Sequence, residues 1–191
     1  MQELEAALPP SARDWVLAVS LEDKVLLLAA FSGAARAVGK SPIAIPDRGV
    51  WGTDEVARAA LLVRAHPRVT PDELWAHGDN RERQAVLKAL PLLPDLHVAL
   101  AIEACRSNVL TVFEAIACEN PYPARQFPEL AFNQMVLKAA FSGVALARIV
   151  GLGSRLNAEL ARMANDFASE RTAAGRAVPD DLAIVTKGLE S

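Results

Sequence analysis

The sequence has little of what disulfide-rich, membrane-spanning or nucleic-acid-binding proteins need. It contains only two cysteines, Cys105 and Cys118, which provide neither a disulfide framework nor a CxxC pair. Its longest run without a charged residue, Val25 to Ala35, is eleven residues long, well short of the roughly 20 that cross a bilayer as a helix. The formal net charge is -3, and no basic stripe is present. We therefore expect buried, reduced thiols, no integral membrane segment and no nucleic-acid partner.

The motifs of common cofactor and catalytic sites are also missing. No GxSxG elbow or GxxxxGK[ST] phosphate loop occurs. The three histidines, His66, His77 and His97, do not share the i, i+3 or i+4 spacing that places two metal ligands on one helix face. We therefore expect no metal and no cofactor. The first residues, MQELEAALPP, carry acids where a secretory signal carries bases, so we expect a cytoplasmic location.

What the sequence does have is helix-forming material. Hydrophobic residues make up 52% of the chain but aromatic residues only 5%, and the abundance of Ala and Leu favours helices packed through small side chains. Local signals, such as the cap Thr70 before Pro71 and the stop at Gly78, predict short helices separated by tight breaks. Lys40 to Gly52 reads as a long connection anchored by Trp51. We predict an all-α fold, an irregular array of stacked helical hairpins resembling an α-α superhelix, as a single domain over residues 1–191.

The most informative stretch runs from Ala104 to Gly153. It joins two apolar helix patterns through the Pro-rich elbow CENPYPARQFPE, and polar side chains are embedded in its apolar segments. Such groups need partners in a core. An ion pair of Glu114 with Arg106 or Lys138 has either a structural or a site role, and the elbow is either a rigid connector or a loop that presents side chains to a ligand. The candidate ligand-binding residues are Arg106, Asn108, Glu114, Asn120, Tyr122, Arg125, Asn133, Gln134 and Lys138.

One further pair of carboxylates has the spacing for acid/base work. Asp166 and Glu170 stand four residues apart in a predicted helix, so they share one face. Pairs of this kind on helix surfaces are usually solvated, and both interpretations stay open at the level of sequence.

Specific segments carry a family resemblance. FEAIA, NPYPA, FNQMVLK, RIVGL and the ASER…AAGR tail, within residues 100–182, closely resemble the EboA family of bacterial and algal proteins, whereas residues 1–95 are a generic helical part. The resemblance implies a gene cluster with a UbiA-like prenyltransferase, a dehydroquinate-synthase-like enzyme, a TatD-like hydrolase and a sugar-phosphate-isomerase-like enzyme. It also implies a link to export of secondary-metabolite precursors. It implies no catalytic residues.

Three functions are therefore weighed. We expect an accessory, non-catalytic binding protein of that pathway, which holds a polar small molecule or an enzyme of the cluster such as the prenyltransferase. The alternative is a cofactor-independent enzyme on a small phosphorylated or polyhydroxylated metabolite. There, Arg106 and Lys138 would hold an anion, Glu114 would act as acid/base and Asn133 would orient the substrate. A peripheral membrane scaffold is the third hypothesis, although no basic amphipathic face is evident.

Overall fold

The computed structural model describes residues 2–188 and is mostly helical. This confirms the predicted all-α class, with one small exception described below. The chain forms two compact units, residues 1–116 and 117–191, which are described separately. The expected contrast between a generic part, 1–95, and a family-like segment, 100–182, stays a prediction.

The first unit contains seven α-helices and most of an eighth among its described residues. They are α1 (Gln2–Ala7), α2 (Pro10–Ala18), α3 (Lys24–Val38), α4 (Thr53–Ala65), α5 (Pro71–His77), α6 (Asn80–Ala89), α7 (Val98–Cys105) and α8 (Leu110–Ala117), with a 3-10 turn at Leu90–Leu92 after α6. Helix α8 ends one residue beyond the boundary between the two units.

Helix α4 is the centre of the first unit. It packs against α1, α2, α3 and α6, and eleven of its thirteen residues are buried. Its alanines allow neighbouring helices to approach closely, while Val56, Leu61 and Leu62 fill the apolar core. The same helix also buries charged side chains, which form part of the site geometry below.

A β-hairpin replaces the long connection expected between α3 and α4. Strands β1 (Pro42–Ile45) and β2 (Gly49–Gly52) pair antiparallel, so the connection contains regular structure that the sequence did not predict. Asp47 and Gly49 adopt positive φ angles of 57° and 74° in the turn, a conformation for which Asp and Gly are suited. Trp51 is buried, as expected for an anchor, and its Nε1 donates to the Arg48 carbonyl at 2.9 Å.

Local capping signals explain several helix boundaries. The predicted start of α5 is confirmed: Thr70 accepts from the Glu73 amide at 3.3 Å and Pro71 is the first helical residue. Asp23 is the N-cap of α3 and accepts from the amides of Val25 and Leu26, because its carboxylate reaches the orphan amides of the first turn.

The second unit is built on two longer helices. Its elements are α9 (Tyr122–Gln126), α10 (Glu129–Phe141), α11 (Ala158–Ala173) and α12 (Ala183–Lys187), with 3-10 turns at Leu146–Arg148, Gly153–Arg155 and Asp180–Leu182. Helix α11 packs against α10 and α12. Gly143, at φ 70°, follows the end of α10, in a conformation that glycine adopts without strain. Within residues 2–188, no helix combines the length and the apolar character that crossing a membrane requires.

Candidate functional site

The nine predicted ligand-binding residues are divided between the two units. Arg106 follows α7, Asn108 precedes α8 and Glu114 lies within α8, all in the first unit. The other six belong to the elbow and α10 of the second unit. A single site that contains all nine therefore stays a prediction.

Four of the nine side chains are exposed, namely Arg106, Asn108, Arg125 and Gln134. The sequence interpretation of Gln134 as embedded is wrong, because α10 buries only part of its circumference and Gln134 lies on its exposed side. Glu114 and Lys138 are half-buried, and neither is without an interaction partner. Exposed polar side chains such as these four occur on docking surfaces and on ordinary solvated surfaces alike.

Asn133 is fully buried and has a partner that the sequence interpretation missed. Its Nδ2 donates to Asn157 Oδ1 at 3.2 Å, and Asn157 Nδ2 donates back to Asn133 Oδ1 at 3.1 Å. Asn157 is the N-cap of α11, since its Oδ1 also accepts from the Leu160 amide at 2.8 Å. The Asn133 amide therefore positions a helix cap.

The Pro-rich elbow is held by hydrogen bonds to its own backbone. Asn120, which is buried, accepts from the Tyr122 amide at 3.0 Å. Arg155 donates to the carbonyls of Ala124 and Phe127 at 2.6 and 2.9 Å. These bonds favour the interpretation of the elbow as a rigid connector, since an arginine that bridges two carbonyls fixes a turn.

The other sequence candidates have ordinary surroundings. Both cysteines are free and buried, as predicted. Asp166 accepts from Arg162 at 2.7 Å on an exposed helix face, which is typical of a solvated surface pair. His66 and His97 have ring centroids 6.3 Å apart and lie beside Asp95 and Asp72 respectively. Among residues 2–188, no group of three or more His, Cys, Asp and Glu side chains has the arrangement of a metal site.

A buried charge network lies in the part of the chain that the sequence interpretation considered generic. The Asp54 carboxylate, with no exposed surface, accepts from Arg58 Nη1 at 2.5 Å and from Arg81 Nε and Nη2 at 2.6 and 2.5 Å. Burial raises the pKa of Asp54, but the hydrogen bonds from Arg81 and Arg58 outweigh it and hold this pKa below its ordinary value. The i, i+4 spacing of Asp54 and Arg58 in an apolar helix was the available sequence signal.

A second buried carboxylate on α4 connects the hairpin to α6. Glu55 accepts from the Gly52 amide at 2.6 Å and from Lys88 Nζ at 2.9 Å. The Lys88 ammonium also lies 5.4 Å from the centre of the Trp51 ring, within the range of a cation-π interaction. Hairpin, α4 and α6 are therefore connected by ionic as well as apolar contacts.

Next to this network is a cavity of about 250 Å³ formed by α3, α5 and the start of α6. One part of its wall is apolar and contains Leu28, Phe31 and Leu74. The rest is polar and contains Ser32, Glu73, His77, Gly78 and Glu82. Binding sites for small molecules commonly combine an apolar wall with a few polar groups in this way.

The cavity walls are fixed by the surrounding contacts. Arg58 donates to the carbonyls of Phe31 and Ser32 at 2.9 and 3.3 Å, which ties α3 to α4. Glu82 is 8% exposed, and its Oε2 accepts from the Asp79 amide at 2.9 Å in the capping box of α6. A Cβ atom added at Gly78 would lie 2.6 Å from the Leu74 carbonyl oxygen, so only glycine permits this close approach.

At the edge of the cavity, Glu73 receives the side chain of a lysine. Lys24 Nζ lies 2.6 Å from Glu73 Oε1, and both side chains are about half-exposed. The hydrogen bond from Lys24, followed by that from the Thr70 amide, lowers the pKa of Glu73. The polar part of the cavity therefore presents a carboxylate that already binds an ammonium group.

A more open groove of about 490 Å³ lies at the end of α4 and is lined by Leu21, Glu22, Arg64, Ala65, His66, Pro67 and Arg68. Its arginines are engaged: Arg64 donates to the Val16 carbonyl, and Arg68 donates to the Leu21 carbonyl and pairs with Glu22. A helix C-terminus also repels anions through its dipole. The groove therefore suits an anionic ligand poorly.

Comparison with known proteins places these features in a family context. A family model described as "Metabolite traffic protein EboA" matches residues 17–186, which includes α3 to α6 as well as the segments that carried the resemblance. No curated protein and no solved structure matches the chain. The chain belongs to the EboA family.

Proposed function

We propose that this protein is an accessory, non-catalytic binding protein that holds a small metabolite in the cavity between α3, α5 and α6. The observation that carries the proposal is the cavity itself, with an apolar wall of Leu28, Phe31 and Leu74 opposite the carboxylates of Glu73 and Glu82. A preformed cavity of this kind lowers the ordering cost of binding.

The buried charges nearby support a binding role more than a catalytic one. Asp54, Glu55 and Arg58 are each held by hydrogen bonds to protein groups. A general acid or base needs a proton-transfer atom within reach of its substrate, and these side chains bond to protein groups such as the Gly52 amide, Lys88 and the Phe31 carbonyl. They stiffen the wall of the cavity, as a supporting shell does.

The family description supports an accessory role in metabolite traffic. We further propose that the protein acts in the cytoplasm within a pathway of secondary-metabolite biosynthesis or precursor export, and that an enzyme of the same gene cluster, such as the UbiA-like prenyltransferase, is its partner. The exposed side chains Arg106, Asn108, Arg125 and Gln134 are candidates for that contact, because none of them forms a side-chain hydrogen bond with another residue of the described chain.

The test is native mass spectrometry of protein isolated gently from its own host, compared with the same sample after denaturation. We expect a stoichiometric small-molecule adduct that denaturation releases. Leu28→Trp, which fills the cavity, should abolish the adduct. Leu130→Trp, at an exposed leucine of α10, should retain it. A bare mass in the wild type, or an adduct that survives in Leu28→Trp, contradicts the proposal.

The enzyme hypothesis makes a different prediction. It requires Lys138, Arg106, Glu114 and Asn133 to act on one phosphorylated or polyhydroxylated substrate. The Asn133 amide is engaged with Asn157, which leaves it less suited to orient a ligand. Turnover of a pathway intermediate by the purified protein, lost in Glu114→Gln with folding intact, would favour the enzyme over the binding protein.

A further inference from the structure

The charge on the cavity wall restricts what the cavity can hold. Its lining includes the carboxylates of Glu73 and Glu82 and the imidazole of His77, and none of its described lining residues is a lysine or an arginine. The buried Arg58 and the partly exposed Arg81 are both bound to Asp54. An anionic ligand would therefore meet two carboxylates of its own sign, while the cations described nearby, Arg58, Arg81 and Lys24, are already paired with carboxylates, which is unfavourable at short range.

Glu82 is a lining carboxylate with one oxygen that is open to a donor from a ligand. The residue is 8% exposed and lines the cavity. Its Oε2 accepts from the Asp79 amide, whereas its Oε1 accepts no hydrogen bond from any residue that the structure describes. A carboxylate oxygen in a largely buried position lacks much of its hydration, so a donor supplied by a ligand gains more there than at an exposed carboxylate.

Glu73 indicates which donor suits the site. Its Oε1 already binds an ammonium group, Lys24 Nζ, at 2.6 Å at the cavity edge. Because both side chains are about half-exposed, this pair contributes little stability and is readily exchanged. The chain's own ammonium thus shows that the edge accommodates a compact cation close to an apolar wall.

Resting on the proposed binding function, we propose that the cavity takes a small organic amine in its ammonium form, with an apolar group attached. The ammonium lies between the carboxylates of Glu82 and Glu73 and displaces Lys24. The apolar group packs against Leu28, Phe31 and Leu74. A volume of about 250 Å³ accommodates a ligand the size of one substituted ring.

The test uses three probes of similar size: 2-phenylethylammonium, 2-phenylethanol and 3-phenylpropanoate. Calorimetric titration of the full chain should show the ammonium binding at least about tenfold more tightly than the alcohol, with no measurable binding of the carboxylate. Equal binding of the three probes, or preference for the carboxylate, overturns the proposal.

Three substitutions sharpen the result. Glu82→Gln keeps the side-chain oxygen that accepts from Asp79, as Gln does in a capping box, and should weaken ammonium binding about tenfold or more. Glu129→Gln, at an exposed glutamate of α10, should change nothing. Lys24→Met removes the internal competitor and should strengthen ammonium binding several-fold. Unchanged ammonium binding in Glu82→Gln overturns the proposal. If Glu82→Gln does not fold, the decisive variant is Lys24→Met, and ammonium binding that is unchanged or weaker there overturns the proposal.

The outcomes separate this inference from the proposed function. One outcome is that protein from the host carries an adduct that is not a cation and that 2-phenylethylammonium does not displace. In that case the proposed ligand class is wrong and the proposed binding function stands. If host protein carries no adduct and no probe binds, both fall. Displacement of the adduct by the ammonium probe alone supports both.

Discussion

The two units bury polar side chains in different ways. In the first unit, α4 places the Asp54 carboxylate in the core and surrounds it with the guanidinium groups of Arg58 and Arg81. In the second unit, α10 buries the neutral amide of Asn133, which exchanges two hydrogen bonds with Asn157. A buried ion needs several strong donors to offset its lost hydration, whereas a buried amide is satisfied by one complementary amide. The charge network connects α4 to α6 through Arg81 and to α3 through the bonds of Arg58 to backbone carbonyls. The amide pair connects only α10 and α11.

The largest effect is expected from removal of the buried carboxylate. Asp54→Ala leaves Arg58 deprived of its ionic partner in the core, and breaking a buried pair in this way costs about 3–5 kcal/mol. Chemical denaturation should show this loss in the free energy of unfolding. Double substitution Asp54→Leu with Arg58→Met, which removes both ions, should recover part of the loss. If Asp54→Ala lowers the free energy of unfolding by less than about 1 kcal/mol, the charge network contributes little to holding α4 against its neighbours.

Acid should remove part of the same contribution. The hydrogen bonds from the two arginines hold the folded-state pKa of Asp54 below its ordinary value, although burial opposes them. The stabilisation is therefore fully present above the unfolded pKa of about 3.9 and is lost as the pH falls through the lower folded-state pKa. The difference in unfolding free energy between wild type and Asp54→Asn should shrink as the pH is lowered below about 3.9. The difference in unfolding free energy between wild type and Asn133→Ala should not change over the same pH range. A difference for Asp54→Asn that is also independent of pH would contradict a lowered folded-state pKa of Asp54.

A smaller effect is expected in the second unit. Asn133→Ala removes one partner of the Asn157 cap and leaves buried polar atoms less satisfied, which costs about 1–3 kcal/mol. Its neighbour Gln134 is exposed on the same helix, so Gln134→Ala is a matched control with an expected change within about 0.5 kcal/mol. A double-mutant cycle with Asn157→Ala should give a coupling of about 0.5 kcal/mol or more. Equal effects of Asn133→Ala and Gln134→Ala would contradict the structural role of the amide pair.

No measurable effect is expected from the exposed ion pairs of α11. Arg162 bonds to Glu159 and Asp166 at 2.7 Å on the helix surface, where solvent screens such pairs. Asp166→Ala should leave the denaturation midpoint unchanged in buffer with physiological salt. A clear shift of the midpoint would indicate that this face is covered in the native protein.

Short-range features of the fold were predictable. The start of α5 at Thr70 and Pro71 and its end before Gly78 are confirmed, because each depends on residues within one turn of the boundary. The hairpin of β1 and β2 was missed, since its strands are only four residues long and its turn lacks the usual Asn-Gly or Asp-Gly pair.

The candidate site was less predictable. The interpretation concentrated on polar residues in the family-like segment, yet the cavity and the charge network lie among α3 to α6. The sequence pattern at Glu82, a Glu three residues after Asp79, is that of an ordinary capping box and does not indicate a cavity. The place of Glu82 in the cavity wall depends on packing near Leu28 and Phe31, which are more than fifty positions away in the chain.

Composition and helical periodicity determined the all-α class, local cap residues determined the boundaries of α5, and the specific segments within residues 100–182 indicated the family. Only the tertiary structure decided which polar groups meet. Arg81 reaches Asp54 from 27 residues away, and Asn157 reaches Asn133 from 24 residues away. Helix formation depends on interactions within one or two turns, which a sequence displays directly. A buried hydrogen bond depends on how separate helices pack, and the chain order of the residues does not contain that geometry.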